Sequence, residues 1–237
     1  MSTRLKNAHM QGKQLQLDGL WNEDRQTIGP SPIQILRTET NPYITSYEPE
    51  EEQRFYAEHG NAEARRRLAS LSQNLEVLAF LAKNDDDPEV LDGVMERVIT
   101  GNVHDKDDAI SENLIKNVHA TFRIHDAFSK DKRPGIRMLV AAVTSYARVL
   151  EKLSHDRDYL VLECVADNEH TKLDTLKRLG NHADSNVRWA VANCLRAPEK
   201  TLQKLRSDED ESVRKSANST LQKLAEKEIA TNFGMRR

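Results

Sequence analysis

Cysteine is almost missing from this chain: Cys164 and Cys194 are the only two in 237 residues. That excludes a disulfide framework, and neither cysteine stands at the spacing of a zinc site. Both are read as packed thiols in a reducing compartment. Aromatic residues make up only 5% of the chain, and no apolar run nears the roughly 18 residues that a membrane span requires. No secretory apolar core follows Met1, so a cytoplasmic protein with no membrane contact is expected. The phosphate-cradling loops Gly-x-x-x-x-Gly-Lys-Ser/Thr and Gly-x-Gly-x-x-Gly are absent, as is a Gly-x-Ser-x-Gly nucleophile turn. Three pairs, His104-Asp105, His125-Asp126 and His155-Asp156, are the nearest thing to acid–base chemistry. They fall in or beside turns and helix ends with no accompanying nucleophile, and are read as turn residues. The expectation is no enzyme, no cofactor and no metal.

What the chain does have is charge and a repeat. Charged residues make up 31% of it, with a net charge of −3 that gives no strong pull toward nucleic acid or an anionic membrane. The charge is uneven: −3 over residues 1–60, −5 over 61–170 and +5 over 171–237. The stretch Asp184-Ser185-Asn186-Val187-Arg188-Trp189-Ala190-Val191-Ala192-Asn193 recurs as Asp210-Glu211-Ser212-Val213-Arg214-Lys215-Ser216-Ala217-Asn218, with Val187 and Val213 26 residues apart. Stepping back gives anchors at Ala64, Val90, Ile110, Ile136, Val161, Val187 and Val213, at steps of 26, 20, 26, 25, 26 and 26. Four residues after each anchor stands another apolar or small residue: Leu68, Val94, Leu114, Val140, Val165, Val191 and Ala217. An i, i+4 pair lies on one helical face, so each anchor opens a helix with a buried stripe. A second helix follows with Leu-x-x-Leu, as at Leu78 and Leu81, Leu150 and Leu153, Leu176 and Leu179, Leu202 and Leu205. Acidic turns precede the helices and suit their positive ends.

The run from Val191-Ala192-Asn193 through Pro198-Glu199, Leu202, Leu205 and Asp208-Glu209-Asp210 to Val213-Arg214 resembles the leucine-rich repeat variant family, and the unit from Val165 to Arg188 is similar. The resemblance is specific over residues 160–220, extends to about 60–225, and departs most between Val90 and Ile110. It implies an all-α, right-handed helical repeat solenoid, here of about six to seven units of ~25 residues. An iron–sulfur segment known in that family needs about four thiolates, and no cysteine precedes Cys164, so that property is not carried over.

Residues 1–60 hold four of the seven prolines and an alternation at Leu15, Leu17, Leu20, Ile33 and Ile35. They read as an irregular or small-β arm capping the first unit. Residues 61–228 read as the solenoid and 229–237 as a flexible basic tail. The Arg after the anchor recurs at Arg65, Arg137, Arg188 and Arg214. It reads as structural, tying each unit to an acidic turn; the competing reading is a guanidinium ladder along a nucleic-acid backbone. Arg188, Trp189, Lys200, Lys204, Arg214 and Lys215 are the candidate partner-binding surface, with Trp189 in an outward column. The function expected is a non-enzymatic scaffold for a protein or peptide partner. The alternative is nucleic-acid binding through the Arg column and the basic C-terminal third. An uncapped last unit offers a route to self-association.

Overall fold

The computed structural model describes residues 49–105 and 108–234. The expected arm lies outside these residues up to position 48. Every regular element among them is an α-helix. In order they are α1 (Glu50–His59), α2 (Ala62–Leu71), α3 (Leu75–Asn84), α4 (Pro88–Ile99), α5 (Ala109–Lys116), α6 (Phe122–Phe128), α7 (Pro134–Val143), α8 (Ala147–Leu153), α9 (Tyr159–Asp167), α10 (Leu173–Leu179), α11 (Ser185–Asn193), α12 (Glu199–Leu205) and α13 (Glu211–Gly234). The chain divides into two compact units, residues 1–77 and 78–237. The expected boundary at residue 60 falls between α1 and α2, both in the first unit. At the other end α13 continues to Gly234, so residues 229–234 are helical rather than a tail. Glu226, Lys227 and Glu228 are good helix formers that lead into this segment, and no proline or glycine in α13 precedes Gly234 to interrupt the helix.

In the first unit, α1 packs on α2. Asn61 caps α2 by accepting from the Ala64 N–H at 2.9 Å. Ser72, just past α2, donates its hydroxyl to Gln53 of α1 at 2.7 Å in a buried contact.

In the second unit the helices form two rows. In the first row, α5, α7, α9, α11 and α13 pack each on the next. The second row, α6, α8, α10 and α12, fills in between, each helix touching the first-row helices before and after it. All seven anchors and all seven residues four places later are buried, the most exposed being 2% accessible, and so are the eight leucines of the Leu-x-x-Leu pairs. Burying each side chain of this size contributes roughly 1.5–3 kcal/mol against leaving it in water.

The long connection between α4 and α5 marks a change in what the 20-residue step means. Asn117, at the end of α5, donates to the carbonyls of Ala82 and Asp85 at 2.9 and 3.0 Å. Asn168, at the end of α9, does the same to Ala141 and Thr144 at 2.8 and 2.9 Å. So α3 precedes α5 in the first row as α7 precedes α9. Arg123 of α6 meets Asp92 of α4 at 2.7 Å, which places α4 in the second row. The expected equivalence of Val90 with Ile110, and of Leu78 and Leu81 with the second-row leucines, is therefore corrected. The sequence step from Val90 to Ile110 crosses between rows; it is not a shortened unit.

Local chemistry explains the helix ends. Asp87, Asp158, Asp184 and Asp210 each accept from the N–H two residues on, at 2.7–2.9 Å, satisfying an orphan donor of the helix that follows. Pro88 and Pro134 stand in first turns, where no N–H is missed. At the other ends, Asn117, Thr144 and Asn168 turn the chain by accepting from the N–H two residues on, at 2.8, 3.2 and 2.8 Å. Gly180 ends α10 where a Cβ would lie 2.5 Å from the Thr201 methyl of α12.

Candidate functional site

The Arg column is built into the joints between rows. Arg188 of α11 grips the Asp208 carboxylate with Nε and Nη2 at 2.8 and 2.9 Å. Its Nη1 donates to the carbonyls of His182 and Ala183 at 2.9 and 2.8 Å, and Nη2 also reaches Glu209 at 3.1 Å. All five guanidinium N–H groups are used. Arg137 repeats the grip on Asp156 at 2.7 and 3.0 Å and on the carbonyls of Asp131 and Lys132. Arg214 donates to the carbonyls of Asp208 and Glu209, and Arg65 to that of Gly60. The Arg188 hydrogen bond holds the Asp208 carboxyl below its usual range, and Arg188 itself is raised by the same contact. Burial alone would raise Asp156, but the bonds and charge of Arg137 bring it below the usual carboxylate value.

Positions 111 and 162 are the exceptions in the first row. At 162, Leu162 replaces the Arg, and the acceptor slot twenty residues on is His182, whose Nδ1 accepts from the Asp184 N–H at 3.1 Å. At position 111, where Ser111 replaces the Arg, the carboxylate of Asp131 is kept and Arg133 serves it instead, with Nη2 2.7 Å from Asp131 and 3.3 Å from the Ser111 hydroxyl. His125 occupies another joint: it is buried in α6, with Nδ1 2.8 Å from the Thr144 hydroxyl and Nε2 3.1 Å from the Ile115 carbonyl. The carbonyl requires an Nε2–H, and in the neutral ring that burial favours the Thr144 hydroxyl donates to Nδ1. Burial pushes its pKa down, against the Ile115 bond. The expectation of a turn residue is corrected for His125. No group of three His, Cys, Asp or Glu side chains suited to a metal ion occurs among the described residues.

The outer faces of the two rows differ. Successive second-row helices are bridged by ion pairs: Arg123 to Asp92 and Glu96, Lys152 to Asp126, and Arg178 to Glu151. Lys204 continues the series to Asn181. In the first row, α7 and α11 each carry a single charged residue, an Arg turned into its joint, although apolar side chains also reach the surface in the second row at Phe122 and Leu173. The only charged residue of α7 is Arg137, which turns into its joint, and Met138, Leu139, Ala142 and Val143 are left half-buried or exposed. Leu160 of α9 is exposed, and Trp189 of α11 is 37% accessible. Between the ends of α7 and α9 lies a cleft of about 410 Å³ walled by Ala142, Val143, Cys164 and Asp167.

The six candidate partner-binding residues do not form one surface. Arg188 is buried in its joint and Arg214 bonds its turn. Trp189 and Lys215 stand two places after their anchors on adjacent α11 and α13, and so share the first-row face. Lys215 pairs with Glu211 at 2.7 Å. Lys200 and Lys204 are exposed on α12, in the second row. The joint role of Asn117 and Asn168 was not read from the sequence, although they stand two repeat steps apart. No helix among the described residues is long and apolar enough to cross a membrane. Comparison with family models, with characterised proteins and with solved structures gives no match.

Proposed function

We propose that this protein is a non-enzymatic binding scaffold of the cytoplasm, a right-handed helical-repeat array of about six to seven units of the leucine-rich repeat variant type. Its first-row face docks a protein or peptide partner. The observation that carries this reading is the set of apolar side chains on α7, α9 and α11, of which α7 and α11 carry no outward charge. The second row closes its outer charges on one another, while α7, α9 and α11 leave Met138, Val143, Leu160 and Trp189 at the surface. Apolar side chains gathered on an otherwise charged surface are the usual mark of an interaction site. The nucleic-acid alternative loses its main support, because the guanidinium groups of Arg137 and Arg188 are spent within the joints.

The test is affinity capture with the full chain and with a Val143→Ser, Trp189→Ala variant, read by mass spectrometry after both are shown to melt alike. Loss of specific captured proteins with the variant supports the reading. An unchanged capture profile overturns it for this face.

A further inference from the structure

The end of α9 is electrostatically unfavourable in the free chain. Glu163 and Asp167 are four residues apart on one face, and like charges at that spacing repel. Asp167 is the last residue of the helix, where the dipole disfavours a negative charge. No ion pair reaches either carboxylate among the described residues. Arg196, which comes to the same turn, is spent on the carbonyls of Asn168 and Thr171 at 2.8 and 2.7 Å. His170 pairs with Glu169. Burial raises the Asp167 pKa, and the Cys164 thiol between the two acids is raised by burial and then by their charge. Beside these carboxylates runs the uncharged outer face of α7. Folding tolerates such a local conflict where something else resolves it.

Resting on the scaffold reading above, we infer that the cleft between the ends of α7 and α9 takes a basic, apolar peptide segment of a partner protein. An aliphatic or aromatic side chain packs on Ala142 and Val143, and a Lys or Arg settles on Asp167 at the cleft wall, with Glu163 one turn back on the same helix face adding to the attraction. The incoming cation removes the repulsion within α9, and the apolar anchor covers the exposed wall of the cleft. An acidic segment meets repulsion at the same place, so charge selects the partner.

A random twelve-residue peptide library displayed on phage, selected against the full chain, tests this. Enriched peptides are synthesised with a fluorescent label and titrated by anisotropy at low and high salt. Enrichment of an apolar residue adjoining Lys or Arg is expected. Binding should weaken about tenfold in Glu163→Gln, Asp167→Asn, and similarly at high salt. That double variant removes a repulsion, so its melting temperature should hold or rise, which separates lost binding from lost folding. Peptides that lack a cation, or that bind the charge variant equally well, overturn the inference. If such peptides still lose binding to Val143→Ser, the scaffold reading survives and only the basic partner falls. If no enriched peptide responds to either variant, both fall.

Discussion

The units that begin at Val161 and at Val187 share a skeleton and differ in what surrounds it. Val161, Val165 and Ala166 in α9 are buried like Val187, Val191 and Ala192 in α11. Around that skeleton the second unit carries Arg188 and Asp208, Trp189 and Asn193; the first has Leu162 and His182, Glu163 and Asp167 at the same places. The α11 unit closes its polar groups on itself. The α9 unit leaves two carboxylates open. Packing between rows fixes the buried positions, and the others are free to join the frame or to face a partner.

The largest effect should come from breaking the closed unit. Arg188→Ala strips the His182 and Ala183 carbonyls of this donor and leaves the Asp208 carboxylate with the Asp210 N–H but no paired cation in a mostly buried joint, and should cost about 3 kcal/mol in urea unfolding. A cost under about 1 kcal/mol would place Arg188 on the surface instead. Gly180→Ala, between the two units, brings a methyl against Thr201 and should cost about 1–3 kcal/mol. Moving the clamp sharpens the comparison further. Leu162→Arg alone buries an unmatched cation, and His182→Asp alone lacks its partner. The double variant should show about 1–2 kcal/mol of favourable coupling in a double-mutant cycle. Additive single effects would mean that the two units hold their joints differently.

The pH dependence separates the joints by residue type. Asp208 is depressed by Arg188, so its contribution is complete above its unfolded value of 3.8 and is lost as pH falls below it. His125 is also depressed, here by burial. Its contribution is complete above 6.5 and declines as pH falls from there toward its folded value, because the unfolded chain takes up the proton first. Stability should therefore fall between pH 7 and 5 in the natural chain, and His125→Gln should flatten that part of the curve. The smallest effect belongs to the outer ladder: Lys152→Ala should change stability by no more than about 0.5 kcal/mol, since its pair with Asp126 faces water.

The sequence made the buried skeleton legible because packing repeats it. A residue that must touch the units before and after it recurs at a fixed step, and Val161, Val187 and Val213 do so. The change of row between α4 and α5 was hidden, because Val90 and Val94 present the same i, i+4 pattern as a first-row pair. Only the bonds of Asn117 and Arg123 show which neighbours those helices have. His125 was misread because its burial depends on Thr144 and Ile115, neither of which its own surroundings in the chain announce. The cleft at α9 was unreadable for a similar reason. Glu163 and Asp167 look like ordinary solvated acids until α7 is seen to bring no cation beside them.

The most direct measurement is methyl-resolved NMR of the full chain, titrated with a selected basic, apolar peptide. The account predicts that the methyl signals of Met138, Leu139, Val143 and Leu160 move together and saturate, while those of Leu173 in the second row stay still. Movement confined to the second row, with the α7 and α9 methyl groups unmoved by a peptide that binds, would contradict it.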